Sequence, residues 1–315
     1  MHKLLTAPLA AGALAALTLA SPAQADYPDR PVEFVVPWPP GDLEDVLTRM
    51  IAENFQETYG QPAAVVNKPG GGGGPFPGAV YVADAPADGY TIGSFVIGVP
   101  IVGPQLGIPQ LQPNPFVPVG IFLTYPFVIA TAKDAPYDSI DELAEYAKSH
   151  DVTLGHFGAA LPPTKATLAL ADTKGFSFAS DAAFDALDCN TLASGDVDVI
   201  NTTVQLVSAC LDDIKVLATV TDRPIAMVPD APTIGDLAPE IDLALWNGLF
   251  VRKDTPQDVI DKIAAVAKKT IASDKAKDFA EKTGALIYWK DQAASEAQIE
   301  KDGKTIDKIN EMVGQ

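Results

Sequence analysis

A proline–glycine turn, Pro39-Pro40-Gly41, separates an apolar run that begins at Val32 from a helically periodic segment that begins at Leu43. The pattern predicts a strand, a tight turn and a helix, with Asp42 as N-cap and Asp45 in the first helical turn. Backbone N–H groups at such a helix start can bind an anion such as a carboxylate. An ordinary strand–helix junction, in which the loop only turns the chain, has the same pattern.

A second loop follows a second apolar run and contains five consecutive glycines, Gly70 to Gly74. The central three, Gly71, Gly72 and Gly73, have no Cβ, so their backbone N–H groups can approach a ligand closely. No Gly-Lys-Ser/Thr follows, so this is not a phosphate-binding Walker loop, and the glycines lack the spacing of a dinucleotide-binding fingerprint. A floppy surface loop remains the alternative.

The elements around these loops predict a parallel sheet. Ala63–Val66 reads as a second strand and Tyr90–Ile97 as a third, each preceded by a helical segment. Two strand–helix units followed by another strand are typical of an α/β fold, whose binding loops lie at the carboxyl ends of the strands.

Composition and charge restrict the possible partners and the cellular location of this protein. The chain has 315 residues and a formal net charge of −19. Such a charge disfavours nucleic acid and anionic lipid as partners, although a recessed site can still hold an anionic small molecule. Residues 1–25 combine an early lysine, an Ala/Leu-rich core and a small-x-small cleavage motif, which predicts a secretory signal peptide and a periplasmic mature protein. The remaining chain is long enough for two domains.

Cysteine and histidine are scarce. The two cysteines, Cys189 and Cys210, favour one disulfide in an exported protein, with two buried thiols as the alternative. Only two histidines follow the predicted signal peptide, and the chain has neither a CxxC nor an HExxH motif. We therefore expect no metal and no cofactor.

Several short motifs resemble, in order, the tripartite tricarboxylate transporter substrate-binding proteins, the TctC or Bug family. The similarity extends over nearly the whole mature chain, in the segments Tyr27–Pro31, Val35–Asp45, Asn67–Gly73, Asp88–Thr91, Leu192–Val199, Pro229–Thr233 and Trp246–Leu249. Each motif is weak alone, but their order is specific.

The resemblance implies a periplasmic-binding-protein (type II-like) fold, in which two α/β lobes enclose a ligand cleft. It implies lobe 1 from residues 26–126 plus 223–315, and lobe 2 from 127–222. It further implies a receptor, expected to be a monomer, that passes a small organic acid to the subunits of a membrane permease. In this family the two N-terminal loops hold a carboxylate mainly through backbone N–H groups. The expected ligand-binding residues of lobe 1 are Trp38, Pro40, Gly41, Asp45, Gly71, Gly72 and Gly73.

The first loop departs from the family pattern Pro-Pro-Gly-Gly-x-Thr-Asp, because Asp42 and Glu44 add two carboxylates. Pointing outward they would only cap the helix, whereas pointing inward one of them would bind an amine or weaken the binding of polyanions. The segment after the third strand is apolar where the family has Thr and Ser. We therefore expect Val96 and Ile97 in the pocket wall, with a place in the core as the alternative.

The loop Gly155–Lys165 is the counterpart of a serine-rich family loop in the second lobe. By position, His156, Thr164 and Lys165 could face the cleft, and Thr202 stands near a family aspartate at the end of a strand. A packing or surface role is the alternative for each.

Two other functions fit less well. An exported hydrolase needs a nucleophile and a base, and the chain has no Gly-x-Ser-x-Gly motif. A sensing module that presents a bound carboxylate to a signalling partner would have the same sequence features as a transport receptor.

Overall fold

The computed structural model describes residues 26–70, 74–184 and 186–314, so the predicted signal peptide lies outside the described residues. The first five elements are β1 (Val32–Val36), α1 (Leu43–Tyr59), β2 (Ala63–Asn67), α2 (Phe76–Ala83) and β3 (Thr91–Val96). β1 pairs in parallel with both β2 and β3. The predicted parallel unit is therefore confirmed, and the two Gly/Pro-rich loops begin at the same edge of the sheet.

Three further strands complete a six-stranded mixed sheet in the order β11-β4-β10-β3-β1-β2. They are β4 (Phe116–Thr124), β10 (Trp246–Arg252) and β11 (Leu286–Lys290). β10 pairs antiparallel with β3 and β4, so a strand from late in the chain lies at the centre of the N-terminal sheet. The complete sheet therefore combines strands from both ends of the chain.

A second sheet has five strands in the order β7-β6-β8-β5-β9. Its strands are β5 (Phe127–Ala132), β6 (Thr153–His156), β7 (Ser180–Ala183), β8 (Val199–Thr203) and β9 (Ile214–Thr219), and its helices are α4 (Ile140–Ala147), α5 (Pro162–Thr173) and α6 (Cys189–Ser194). β6 is parallel to β7 and β8, whereas β5 is antiparallel to β8 and β9.

The crossing between the sheets is short. Only Tyr125 and Pro126 separate β4 from β5, and the chain returns between β9 and β10. The Tyr125 backbone N–H donates to Leu245 O over 2.8 Å, so the outgoing and returning segments lie side by side. The remaining helices are α3 (Gly98–Ile101), α7 (Ile234–Leu237), α8 (Gln257–Ile271), α9 (Asp274–Thr283) and α10 (Gln292–Met312).

Apolar packing joins the two sheets on one side. One cluster of buried side chains extends from Phe95 and Trp246 of the first sheet to Leu154 of the second sheet and Leu170 of α5. A second cluster packs α1 and α8 against the first sheet, and a third lies behind the second sheet. The buried residues of α8, Val259 and Ile263 among them, recur at helical spacing and form one apolar face.

Some local predictions were wrong. The sequence pattern of residues 182–193 predicts a helix, but Ser180–Ala183 pairs with β6, and α6 begins at Cys189, after a capping box formed by Asp188 and Thr191. Strand pairing, which depends on distant residues, overrides local helix pattern there. β10 continues through Asn247-Gly248 as one strand. Its pairing with β4 shifts register at β-bulges between Asn247 and Gly248 and between Leu249 and Phe250. The pair Thr255-Pro256 predicts a helix with Thr255 as its N-cap, but the Thr255 hydroxyl donates to Arg252 O, and α8 begins at Gln257.

Within the described ranges, none of the helices has the length and apolar character needed to cross a bilayer.

Candidate functional site

The first loop lies between the carboxyl end of β1 and the start of α1. Gly41 has a φ of 100°, a left-handed conformation that favours glycine. The first backbone hydrogen bond of the helix runs from Val46 N to Asp42 O over 3.0 Å, so the N–H groups of residues 43–45 precede the helical pattern. Asp42 occupies the predicted N-cap position, although its side chain makes no capping hydrogen bond. These helix-start donors suit a carboxylate.

Asp45 is buried and ties the first loop together. Its Oδ2 accepts from Gly41 N over 2.9 Å and from Arg49 Nε over 2.9 Å, while its Oδ1 accepts from Asn67 Nδ2 over 2.8 Å. Burial raises the pKa of the Asp45 carboxyl, but the hydrogen bonds from Arg49, Asn67 and Gly41 outweigh burial and lower it. These contacts give Asp45 a role in holding the loop, and its direct contact with a ligand stays a prediction.

Asn67 joins the second loop to the first. Besides Asp45, its Nδ2 donates to Trp38 O over 3.0 Å, and its Oδ1 accepts from Arg49 Nη2 over 2.7 Å. Trp38 is half-buried, and its ring Nε1 is buried without a hydrogen-bond acceptor among the residues that the structure describes. The ring therefore offers a donor beside the two loops.

The beginning of α2 packs against both loops. A Cβ at Gly78 would lie 2.7 Å from Pro37 Cβ and 3.0 Å from Lys68 O, so only glycine allows this approach. The central loop residues Gly71, Gly72 and Gly73 lie outside the described residues. Pro40 is exposed at the tip of the first loop.

Glu44 lies inside the protein, beneath the first loop. Its side chain is 2% exposed, and its Oε2 accepts from Tyr125 Oη over 3.0 Å. Burial is the largest cause that raises the pKa of Glu44, to about 8, and the negative charge of Asp42 adds to it, against hydrogen bonds from its own N–H and from Tyr125. Of the two added carboxylates, Glu44 therefore points inward, towards the crossing between the sheets.

Val96, the last residue of β3, and the following Ile97 differ in their burial. Ile97 is buried in the cluster shared by the two sheets, and its N–H donates to Trp246 O over 3.0 Å. Val96 is half-buried and packs against the same cluster. The structure thus favours the core alternative for Ile97, while exposure of Val96 to a ligand stays a prediction.

The expected residues of the second lobe are engaged within the protein. Thr164 Oγ1 donates to Gly158 O over 2.8 Å, and Thr202 Oγ1 donates to Leu187 O over 2.7 Å. Lys165 Nζ donates to Asn310 Oδ1 of α10 over 2.9 Å, and burial lowers the pKa of this lysine. The structure brings none of these three side chains into hydrogen-bond contact with the first-lobe loops within the described ranges.

Three side chains of the second sheet region, His156 at the end of β6, Asn201 within β8 and Gln205 just after β8, have buried polar atoms. His156 Nε2 lies 2.7 Å from Asp181 Oδ1, and Asn201 Nδ2 donates to Thr167 Oγ1 over 3.0 Å. In the described part of the chain, His156 Nδ1, Asn201 Oδ1 and Gln205 Oε1 are buried without partners. Gln205 was missed by the sequence analysis, although its place just after a strand that ends in polar residues was the available signal.

Two further features lie away from these loops. Cys189 and Cys210 form a disulfide with an S–S distance of 2.09 Å, which ties the start of α6 to the segment before β9. A surface depression of about 820 Å³ lies at the far end of β5 from Tyr125, and none of the expected ligand-binding residues lines it. Among the described residues, no group of three or more His, Cys, Asp and Glu side chains could hold a metal ion.

Comparison with known proteins gives consistent results. Residues 47–313 match the family model described as tripartite tricarboxylate transporter family receptor, TctC. The chain is 30% identical over 261 residues to the protein BugT of Bordetella pertussis, an alignment that covers 78% of each chain.

Solved structures show the same fold. A TctC solute-binding protein from Polaromonas, determined without ligand, superposes with a TM-score of 0.75 at 25% identity and covers 91% of this chain and 99% of its own. An R. palustris protein with adipate superposes with a TM-score of 0.76 at 23% identity, and covers 92% of this chain and 99% of its own.

Proposed function

Because this chain belongs to the tripartite tricarboxylate transporter receptor family, we propose that it is a periplasmic receptor that captures a small organic carboxylate and delivers it to the permease subunits of such a transporter. This is a family of solute-binding receptors and not a family of enzymes. We extend this to the present chain and assign it no catalytic role. We also propose that it acts as a monomer.

One observation carries the proposal: Asp45, Asn67 and Arg49 fasten two loops beside the start of a 17-residue helix, where the N–H groups of residues 43–45 precede the first helical hydrogen bond. The two side-chain cations at these loops already have partners, since the Arg49 guanidinium is bound to Asp45 and Asn67 and Lys68 Nζ lies 4.2 Å from the centre of the Tyr81 ring. An acid group would therefore be held mainly by backbone N–H groups, each worth about 1.5–3 kcal/mol as a charge-assisted hydrogen bond. A few such bonds are enough for micromolar affinity.

In this proposal the ligand-binding cleft lies between the two lobes, each of which contains one sheet. We assign lobe 1 to residues 26–126 plus 223–315 and lobe 2 to residues 127–222, a division supported by the two sheets and by the crossing at Tyr125-Pro126. Lobe 2 would offer its buried unpartnered groups, His156 Nδ1 and Gln205 Oε1, to the far end of the ligand. Closure of the lobes would then bury the solute.

The adipate in the R. palustris structure favours a dicarboxylate with an apolar body as the ligand class. A thermal-shift screen tests this with acetate, benzoate, succinate, malate, adipate and citrate, and with glucose and spermidine as neutral and cationic controls. We expect a rise in Tm with at least one acid and none with the controls. A rise with glucose or spermidine, and none with any acid, would refute the proposal.

Uptake of the acid into vesicles distinguishes a transport receptor from a sensing module. A transport receptor should stimulate uptake of the identified acid into vesicles that contain the permease subunits. Ligand-dependent capture of a signalling protein, without stimulated uptake, would assign the chain to sensing.

A further inference from the structure

We propose that Glu44 contacts the bound acid as a protonated carboxyl group, so that the cleft takes up its organic anion together with one proton. This inference rests on the proposed function, because it names a ligand-contacting group of the same site. Protonated Glu44 would donate its O–H to a ligand carboxylate oxygen. The proton comes from solvent and stays on Glu44 for as long as the ligand is bound.

The position of Glu44 supports this role. It is the second residue of α1, three residues after Gly41, so it lies in the turn whose N–H groups are assigned to the ligand. Its partner Tyr125 belongs to the two-residue crossing between the sheets. The carboxyl group therefore lies between the anion-binding helix start and the segment about which the lobes would close.

The hydrogen-bond network around Glu44 calls for an additional proton. Tyr125 Oη lies 3.0 Å from Glu44 Oε2 and 3.4 Å from Asn247 Oδ1, and the tyrosine has a single hydrogen to donate. Asn247 Nδ2 is already bound to Ser94 Oγ over 2.8 Å. With an ionised Glu44, Tyr125 has one hydrogen for two acceptors, Glu44 Oε2 and Asn247 Oδ1, and Glu44 otherwise receives a hydrogen bond from its own N–H. A protonated Glu44 adds a second side-chain hydrogen to this network while the cleft is empty, and the ligand carboxylate accepts that hydrogen once it is bound.

The charges around Glu44 also disfavour its ionised form. Asp42 and Asp45 on the same helix start are acidic, and the cation of that helix, Arg49, is committed to Asp45. Tyr125 is the titratable group that faces Glu44 from the crossing segment, while the neighbouring strands contribute the neutral Asn247 and Ser94 to the network. The raised pKa of Glu44, about 8, agrees with this environment.

A bound carboxylate would disfavour the ionised form of Glu44 further. An anion close to Glu44 repels its ionised form and raises its pKa further, by the same physics that separates the two pKa values of paired carboxyls. Above about pH 8 the free receptor has an ionised Glu44, so binding must be accompanied by proton uptake. At neutral pH the proton is already present, and binding takes up few protons.

Calorimetry on the unaltered protein tests this directly. Adipate is titrated into the full mature chain at about pH 8.5, once in Tris and once in HEPPS, two buffers that titrate near this pH and have different ionisation enthalpies. If adipate gives no thermal shift, the acid with the largest shift in the screen replaces it. We expect an uptake of more than half a proton per ligand bound. An uptake near zero would overturn the inference and leave carboxylate binding intact.

Variants give a second, independent readout. Above the pKa of Glu44, the affinity of the unaltered protein should fall about tenfold for each pH unit. Glu44→Gln keeps a neutral hydrogen-bond donor, so its affinity should stay constant over the same range. Glu57→Gln makes the same chemical change on an exposed position of α1 and should retain the unaltered profile.

The outcomes separate the two proposals. A Glu44→Gln protein whose affinity falls with pH like that of the unaltered protein would refute the role of Glu44. A chain that binds no acid in the screen would refute the proposed function, and this inference with it.

Discussion

Asn67 Nδ2 donates to Asp45 Oδ1 over 2.8 Å, so the residue that ends β2 holds the first turn of α1 across 22 positions of the chain. The same amide nitrogen donates to Trp38 O in the preceding loop. Two loops that look independent in the sequence are therefore one structural unit. A site made of backbone N–H groups needs such fixation, because an unfastened loop would lose conformational entropy on binding.

Asn67→Ala should weaken carboxylate binding. The change removes the donations to Trp38 O and Asp45 Oδ1, and each hydrogen bond is worth about 1 kcal/mol, so we expect a loss of affinity of roughly tenfold or more. Calorimetric titration with the acid found in the thermal-shift screen measures it. Asn54→Ala is the matched control, because Asn54 lies on α1 and donates only to Met50 O. Equal affinity of both variants would contradict a coupling of the loops.

Gly41→Ala should destabilise the protein through backbone strain. Gly41 has a φ of 100°, and a Cβ there would meet no atom within 4 Å, so no steric clash contributes. The left-handed conformation costs a residue with a Cβ about 1–2 kcal/mol. Gly303→Ala makes the same change inside α10, also without a neighbour within 4 Å, and should stabilise by roughly 0.5–1 kcal/mol. Urea unfolding measures both, and a Gly41→Ala protein as stable as the unaltered one would contradict the strain.

The unaltered protein should lose stability relative to Glu44→Gln as the pH rises from about 5 to about 8. An unfolded chain releases the Glu44 proton near the ordinary pKa of glutamate, whereas the folded chain keeps it up to about 8. Between these values the folded state binds more protons, so the free energy of unfolding falls with rising pH. The full difference is roughly 3–5 kcal/mol.

Urea unfolding of both proteins at several pH values tests this prediction without any ligand. The gap between the two free energies of unfolding should widen up to about pH 8 and then stay constant. A gap that does not change with pH would show that Glu44 is ionised in the folded protein.

Reduction of the Cys189–Cys210 disulfide should lower the free energy of unfolding by roughly 3 kcal/mol, since the bond closes a loop of 21 positions. Urea unfolding with and without a reductant measures this change. The double variant Cys189→Ser, Cys210→Ser should match the reduced protein and should not respond to the reductant. A change below about 0.5 kcal/mol on reduction would contradict the stabilising role.

The expected site was only partly predictable. The helix start after Gly41 and the neighbouring second loop were expected from glycine and proline alone. Proline restricts the backbone to few conformations, whereas glycine allows unusually many. The sequence left open whether Thr164, Thr202 and Lys165 face a ligand or their own protein, since a polar side chain near a strand end or a helix start has the same local sequence in both cases. The partner of Lys165 lies 145 positions away.

The sequence by itself determined the local elements of this protein, from the strand–turn–helix around Gly41 to the left-handed glycine that ends α1 at Gly60. It did so because hydrophobic period, capping and turn residues act over a few positions. Only the tertiary structure decided that Glu44 points inward to Tyr125, that Asn67 fastens Asp45, and that β10 lies at the centre of the first sheet. Those outcomes depend on burial and on partners many positions away, and local pattern contains no information about either.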